Sequence, residues 1–341
     1  MKHTLLLLAF IVISLNPFPL QAASFDKSVV ILMYHRFGED QYPTTNVRIE
    51  QFKDHLEELQ SSEFNILPLP DIIQKLKTGE PLPDKTIGIT IDDAFLSVYE
   101  EAYPRLKKAN FPFTLFVSTG GIGEGSKSYM SWKQINEMVD SGLVTIGNHM
   151  VSHSSAIDLS PEEIRREINQ AQVTIREKTG TSPSLFSYPY GEYSIDIKNM
   201  VKQAGFEAAF GQQSGPVLKE GGFYALPRYA LNENFSNADR FRLVVNSLPL
   251  PVKDITPKET LLNESINPPP YGFTVQNNVE NIQNLKCYAS AGGELTMERL
   301  GQHRFEIRLE EAFLPGRSRI NCTTLAPSGR WRWLGRQFVV K

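Results

Sequence analysis

Short apolar, β-branched runs alternate with amphipathic helical segments over residues 29–248, and this alternation limits the fold more than any other feature of the sequence. The predicted strands are residues 29–33, 87–91, 114–117, 144–147, 185–187, 208–210 and 224–226. The predicted helices are residues 49–61, 71–77, 98–108, 132–141, 161–178 and 195–204. Repeated β and α segments predict a parallel sheet with helices outside it, either open or closed into a barrel. In such folds the chemistry lies at the C-terminal ends of the strands.

A different pattern follows residue 248. Prolines recur through residues 249–270, which predicts an extended linker. Short strand-like runs separated by Gly and Pro turns then occupy residues 271–341. They predict a small all-β, sandwich-like domain. We therefore expect an α/β domain at residues 23–248, a linker at 249–270 and a β-domain at 271–341.

Residues 1–22 have the pattern of a secretory signal peptide. A short polar start precedes an apolar run that Pro17 interrupts, and small or apolar residues follow at the expected cleavage positions. The run is about a dozen residues, shorter than the roughly 20 that cross a bilayer, although an uncleaved membrane anchor is the alternative. We expect cleavage of this peptide near Ala23, and a periplasmic or secreted mature protein without stable membrane insertion.

The two cysteines and six histidines limit the kind of metal site that the chain can build. Two thiolates are too few for a Cys₄ zinc site or an Fe–S cluster, so a bound metal would need His and carboxylate ligands. In an oxidising compartment Cys287 and Cys322 are expected to form a disulfide, with two buried thiols as the alternative. The 35 Lys and Arg residues nearly balance 38 Asp and Glu residues, which argues against a nucleic-acid partner.

Two adjacent carboxylates, Asp92 and Asp93, stand at the end of the predicted strand 87–91. A buried ionised carboxylate is costly unless it is paired or bound to a cation. The pair therefore indicates a metal ligand, a base or both, and a helix N-cap is the structural alternative.

Two histidines, His149 and His153, follow the predicted strand 144–147 at a spacing of i and i+4. On one helical turn this spacing places both imidazoles on one face. Two His, one Asp and open water positions are typical of a hydrolase in which a metal lowers the pKa of bound water and the second Asp takes its proton.

Two further strand ends carry polar groups. His35 follows the first predicted strand, and a Pro-Tyr-Gly turn at Tyr190 follows the predicted strand 185–187. Backbone N–H groups of such a turn can stabilise an oxyanion. Taken alone, His35 has the pattern of an ordinary core histidine. The turn, taken alone, has the pattern of an ordinary loop.

These motifs resemble those of the polysaccharide deacetylases with the NodB-homology fold, carbohydrate esterase family 4, over residues 29–248. Thr90-Ile91-Asp92-Asp93-Ala94, His149-Met150-Val151-Ser152-His153 and Ser187-Tyr188-Pro189-Tyr190-Gly191 are similar to the three motifs of the family. The resemblance implies a distorted (β/α) barrel of about seven parallel strands. It also implies Asp92 as general base, Asp93, His149 and His153 as metal ligands, and the Tyr190 N–H as an oxyanion donor.

The sequence departs from the family pattern at several positions. Ala94 stands for a Gly, Met150 for a Ser or Thr, and Ser187 for the Arg that pairs with the base. The late general-acid His is missing. The early Tyr34-His35 pair resembles the branch that acts on poly-N-acetylglucosamine, which implies His35 as the acid, and Arg228 is our candidate replacement for the missing Arg.

The resemblance implies an exported, metal-dependent deacetylase that hydrolyses N-acetyl groups of an amino-sugar polysaccharide such as poly-N-acetylglucosamine, a chitin-like polymer or peptidoglycan. Zinc is the expected ion, and cobalt, nickel or manganese are substitutes. Polysaccharide export or cell-wall machinery is the expected partner besides the substrate. The alternatives are an O-acetyl esterase acting on xylan or another glycan, and a non-catalytic glycan-binding protein. In the latter, Trp331, Trp333 and Tyr288 would bind sugar, although we expect these aromatics in the β-domain core.

Overall fold

A curled parallel sheet is the centre of the N-terminal part of the protein. The structure is a computed structural model, and it describes residues 27–61, 63–123, 125–218, 221–290 and 292–341. The predicted signal peptide lies outside these residues. The first ten strands are β1 (Val29–Tyr34), β2 (Arg36–Phe37), β3 (Asn46–Val47), β4 (Asn65–Ile66), β5 (Thr86–Asp92), β6 (Phe113–Val117), β7 (Val144–Asn148), β8 (Leu185–Ser187), β9 (Ala208–Phe210) and β10 (Tyr229–Ala230).

Eight of these strands form one sheet, in which every pairing is parallel. The order is β10-β1-β5-β6-β7-β8-β9, with β4 paired to β5, while β2 and β3 form a separate pair. The seven strands of the main path curl into a half-barrel with helices outside it. The predicted distorted (β/α) barrel of about seven parallel strands is confirmed.

Burial on both faces explains why the strands are continuous apolar runs. Every residue of β1 and of β5 is buried, as expected for a parallel sheet that is covered on both sides. The helices are α1 (Ile49–Leu59), α2 (Leu69–Thr78), α3 (Tyr103–Ala109), α4 (Trp132–Asp140), α5 (Pro161–Thr179), α6 (Ile195–Gln203) and α7 (Ala238–Val245). Their periodic apolar residues pack on the sheet, and a π-helical turn at Val98–Ala102 leads into α3.

The sequence pattern was wrong about the last strand of the barrel. Residues 224–226 were predicted to form it, but only Leu226 makes a β-bridge, with Phe210. The strand lies instead at β10, where Tyr229 pairs with Leu32 of β1. A two-residue strand is too short to show a period of two, so its position depends on the neighbour that it meets.

The C-terminal part contains two further sheets. Its strands are β11 (Leu248–Pro249), β12 (Val252–Thr256), β13 (Leu261–Leu262), β14 (Gly272–Val275), β15 (Lys286–Ala289), β16 (Gly293–Glu294), β17 (Thr296–Leu300), β18 (Arg304–Arg308), β19 (Gly316–Leu325) and β20 (Trp331–Val340). One sheet has the order β11-β20-β19-β15-β16, with β13 beside β20, and the other has the order β12-β14-β18-β17. The segment predicted as a linker therefore contributes β12 and β13 to these sheets.

A shared apolar core joins the two C-terminal sheets. Tyr271, Phe273, Phe305 and Phe338 are buried in it together with the disulfide. The expectation that the aromatics Trp331 and Tyr288 belong to this core is wrong, since each is 39% exposed. Trp333 packs instead on the barrel, with its ring centre 5.5 Å from that of Tyr229.

Of the two C-terminal sheets, the one that contains β20, called the C-terminal sheet below, packs directly against the barrel. Strand β20 pairs with β11, and Arg330 beside its start donates hydrogen bonds to Asp84 Oδ2 at 2.7 Å and to Ser28 Oγ at 2.8 Å. Elsewhere between the two parts, Thr260 Oγ1 donates to the Tyr193 carbonyl at 2.8 Å. The two parts are therefore held by polar contacts as well as apolar ones. Within the described ranges, no helix is both long and apolar enough to cross a bilayer.

Cys287 and Cys322 form a disulfide between opposite residues of β15 and β19, as predicted. We expect a Cys287→Ala/Cys322→Ala protein to lose about 3–4 kcal/mol of stability, because the chain-entropy model gives that value for a loop of 35 residues. Chemical unfolding followed by fluorescence of the C-terminal tryptophans would measure the loss. Reduced wild-type protein should show the same shift, and an unchanged midpoint in both samples would contradict the prediction.

Candidate active site

Polar residues from four strands meet at one edge of the barrel sheet. His35 directly follows β1, Asp92 is the last residue of β5, His149 directly follows β7, and Ser187 is the last residue of β8. Parallel strands present their C-terminal ends at the same edge, which is where sites form in such folds. The structure thus brings together residues that are far apart in sequence.

Asp93, His149 and His153 form a compact cluster. The Nε2 atoms of His149 and His153 lie 3.4 Å and 3.1 Å from Asp93 Oδ1. One ligand-type atom from each residue lies within 4.8 Å of the others. The other ring nitrogen of His149, Nδ1, lies 2.7 Å from the Ser187 carbonyl oxygen. A proton on Nδ1 would be donated to that carbonyl, which leaves Nε2 available to an ion.

Asp93 Oδ1 indicates that the cluster suits a cation. It is buried, and although two imidazole nitrogens lie near it, neither makes a hydrogen bond to it, nor does any other described residue. A buried carboxylate oxygen without such a partner is costly, and a divalent ion would satisfy it. Two imidazoles and one carboxylate with open positions are a donor set typical of catalytic zinc. The residues therefore fit zinc or another divalent transition metal.

The electrostatics of the cluster favour an ionised Asp93. Burial would raise the pKa of Asp93, but the imidazoles of His149 and His153 outweigh it and hold the pKa well below its ordinary value. Burial would lower the pKa of His149, but the carboxylates of Asp93 and Asp92 outweigh it and raise that pKa. Metal ligation needs a neutral imidazole and an ionised carboxylate, so protons and a metal ion would compete for these side chains.

Asp92 is fully buried and paired with Arg228. Arg228 Nη1 donates to Asp92 Oδ1 at 2.7 Å and Nη2 donates to Oδ2 at 2.8 Å, in a bidentate arrangement. The same guanidinium donates to Thr90 Oγ1 and to Ser187 Oγ, and Ser187 Oγ lies 3.2 Å from Asp92 Oδ2. Burial would raise the pKa of Asp92, but the Arg228 charge outweighs it, so the pKa lies below its ordinary value. Arg228 thus lies beside Asp92 and binds both of its carboxylate oxygens.

Left-handed backbone turns shape the loops that follow the strands. Asp93 has φ 78°, Ala94 59°, Met150 65°, His153 56° and Tyr190 59°. This conformation is uncommon for residues other than glycine and concentrates at functional sites. Ala94 therefore adopts a backbone conformation for which glycine is better suited. The turn is formed even though Ala94 stands where the family has a Gly.

His35 and Tyr190 complete the set of predicted site residues. Burial lowers the pKa of His35, whereas the nearby charges of Asp92 and Asp93 act in the opposite direction. The imidazole therefore lies within the electric field of both carboxylates. Tyr190 lies in a single 3₁₀ turn, and its ring centre is 4.6 Å from that of His153.

An aromatic group borders the cluster, and sequence reasoning missed it. The Arg36 guanidinium lies 3.5 Å from the ring centre of Phe95 and 3.9 Å from that of Tyr42. The Phe95 and Tyr129 rings stack at 5.1 Å, and the charge of Asp93 acts on Tyr129. These residues share no motif, so only the folded chain shows that they are neighbours.

At the strand ends of this (β/α) barrel, two His and one Asp that could hold a metal lie beside a buried Asp–Arg pair. This arrangement is typical of a hydrolase. Residues 79–209 match the family model described as polysaccharide deacetylase. These residues therefore match a polysaccharide deacetylase domain, and the resemblance found in the motifs is confirmed over this part of the chain.

The chain is also similar to known relatives and to solved structures. A poly-beta-1,6-N-acetyl-D-glucosamine N-deacetylase of Staphylococcus aureus (strain MSSA476) is 26% identical over 200 residues, which cover 55% of this chain and 69% of the relative. The structure of IcaB from Ammonifex degensii aligns with a TM-score of 0.55 and 25% identity, over 63% of this chain and 96% of that chain. The Streptococcus pyogenes deacetylase PplD in complex with acetate aligns with a TM-score of 0.59 and 22% identity, over 64% and 98% respectively.

Proposed function

We propose that this protein is a metal-dependent N-deacetylase of an N-acetylated amino-sugar polysaccharide, with poly-β-1,6-N-acetylglucosamine as the first substrate to test. The observation that carries the proposal is the Asp93, His149 and His153 cluster next to the buried Asp92–Arg228 pair. The name of the S. aureus relative supports the choice of polymer. The predicted signal peptide supports a periplasmic or secreted location.

Asp93, His149 and His153 would hold the ion, and zinc is our first choice because two imidazoles and one carboxylate suit it. When bound, such an ion acts as a Lewis acid and lowers the pKa of water.

The protein's own residues would then divide the proton transfers between them. Asp92, held ionised by Arg228, would accept the proton of the attacking water. The Tyr190 N–H would stabilise the negative charge that develops on the acetamide oxygen. His35, half-buried directly after β1 and within reach of the charges of Asp92 and Asp93, would donate a proton to the leaving amine.

The decisive experiment measures acetate release across a panel of polymers together with bound metal. The panel includes poly-β-1,6-N-acetylglucosamine, chitin oligomers, peptidoglycan and acetylated xylan. We expect release from an N-acetylated polymer, and release from xylan alone would favour the O-acetyl esterase. Binding of a polymer without any release would favour the glycan-binding protein.

Removing the metal is expected to abolish the activity. Exhaustive chelation should stop acetate release, and added zinc, cobalt, nickel or manganese should restore it to differing extents. A His153→Ala variant should lose a ligand and drop more than about 100-fold in activity, since even groups that only support ligands matter 10–100-fold. His303→Ala, in the C-terminal region before β18, is the matched control. Full activity of metal-free protein would overturn the proposal.

A further inference from the structure

The C-terminal sheet reaches the turn that contains Tyr190. Gln337, in β20, is 1% exposed. Its Nε2 atom donates to the Gly191 carbonyl at 3.0 Å and lies 3.3 Å from the Tyr190 carbonyl. A buried side chain from a separate sheet therefore holds two consecutive carbonyl groups of an active-site turn.

The Gln337 amide is itself held in place. Arg319, the residue opposite it in β19, donates from Nε to Gln337 Oε1 at 2.9 Å. With its oxygen engaged there, the amide must present its NH₂ group to the turn. Arg317, two residues earlier, adds a weaker contact, with Nη1 3.4 Å from the Tyr190 carbonyl and Nε 3.5 Å from a Glu192 oxygen.

The turn needs support because its backbone conformation is unfavourable. Tyr190 and Gly191 have φ values of 59° and 69°, and this left-handed conformation is unfavourable for a residue other than glycine. The barrel holds the start of the turn, since the Tyr188 N–H donates to the Phe210 carbonyl of β9 at 3.1 Å. A side chain at Gly191 would also meet the Gln212 backbone nitrogen at 2.5 Å. Gln337 holds the end of the turn.

We propose that Gln337 is a positioning residue for catalysis, and that the C-terminal sheet is thereby a functional part of the active site. Gln337 fixes the two peptide units that follow the Tyr190 N–H, and the turn can then present that N–H in one orientation. This inference rests on the proposed function, in which the Tyr190 N–H stabilises the oxyanion. A donor that is aligned in advance contributes more than one that must reorganise.

The test compares two buried donors of the same sheet. Gln337→Met removes the donor and keeps the side-chain size. Thr324→Val is the matched control, because Thr324 is also buried in β19 and donates to the Asn281 carbonyl at 2.9 Å, away from the turn. We expect Gln337→Met to lower kcat by roughly 10- to 100-fold, less than the loss of a whole oxyanion donor, with KM and metal content unchanged. Thr324→Val should keep its kcat.

Amide hydrogen exchange of residues 188–193 gives a readout that does not depend on activity. Exchange should become faster in Gln337→Met and stay unchanged in Thr324→Val. If Gln337→Met does not fold, Arg317→Met is tested in its place. The Arg317 side chain is 38% exposed, so we expect its replacement to leave the fold intact. Arg317→Met should lower kcat severalfold and leave KM unchanged.

The outcomes separate the two proposals. Wild-type kcat in Gln337→Met and in Arg317→Met would overturn the positioning role, as would an equal loss in Thr324→Val. Unchanged exchange at the turn would overturn the contact itself. Wild-type protein that releases no acetate from any polymer would overturn the proposed function, and the catalytic role of Gln337 with it, whatever the exchange shows.

Discussion

An Asp92→Asn protein is expected to keep its metal and to lose acetate release by a factor of about 10²–10⁴, the usual contribution of a general base. Asparagine has nearly the same shape and still accepts a hydrogen bond from Arg228, but it cannot take a proton from water. The measurement is the initial rate of acetate release from the best polymer of the panel, with metal content measured on the same sample.

The matched control for this variant is Asp84→Asn. Asp84 is also a carboxylate paired with an arginine, but it precedes β5 and lies at the opposite end of that strand from Asp92. It should keep full activity. Equal rates for Asp92→Asn and wild type would exclude Asp92 as the base, whereas loss of metal from Asp92→Asn would assign it a part in metal binding instead.

An Arg228→Met protein is expected to be destabilised by about 3–5 kcal/mol, because removing one partner leaves the other charge buried without compensation. Both side chains are completely buried, and the guanidinium also donates to Thr90, Ser187 and the Gly211 carbonyl. Its loss therefore leaves several polar groups without a partner. Thermal and denaturant unfolding of the metal-loaded protein would measure the change.

The double variant Asp92→Asn/Arg228→Met distinguishes charge from packing. It removes both charges, so we expect it to recover part of the stability that Arg228→Met loses. Activity should stay low in all three variants, because none retains both an ionisable Asp92 and the arginine that keeps it ionised. A double variant no more stable than Arg228→Met would mean that the lost hydrogen bonds, and not the unpaired charge, cause the destabilisation.

The local pattern of the sequence predicted most of the barrel. Buried parallel strands are continuous apolar runs, and the apolar residues of an amphipathic helix recur about every 3.6 residues. Both kinds of element can therefore be identified one segment at a time. The cluster of Asp93, His149 and His153 was also predictable, since the two histidines are close in sequence and Asp93 directly follows a recognisable strand. The short strand β10 and the strands within the proline-rich segment were missed, because their conformation depends on the strands that they meet.

What the sequence determined by itself was the alternation of strands and helices, and therefore the edge at which polar residues gather. The tertiary structure decided which distant residues support them. Arg228 meets Asp92 across 136 residues of sequence, and Gln337 meets the Tyr190 turn across 147. No local periodicity encodes such pairings, because they depend on the curl of the whole sheet and on how the C-terminal sheet packs against it. Residues so far apart in sequence come into contact only when the whole chain has folded.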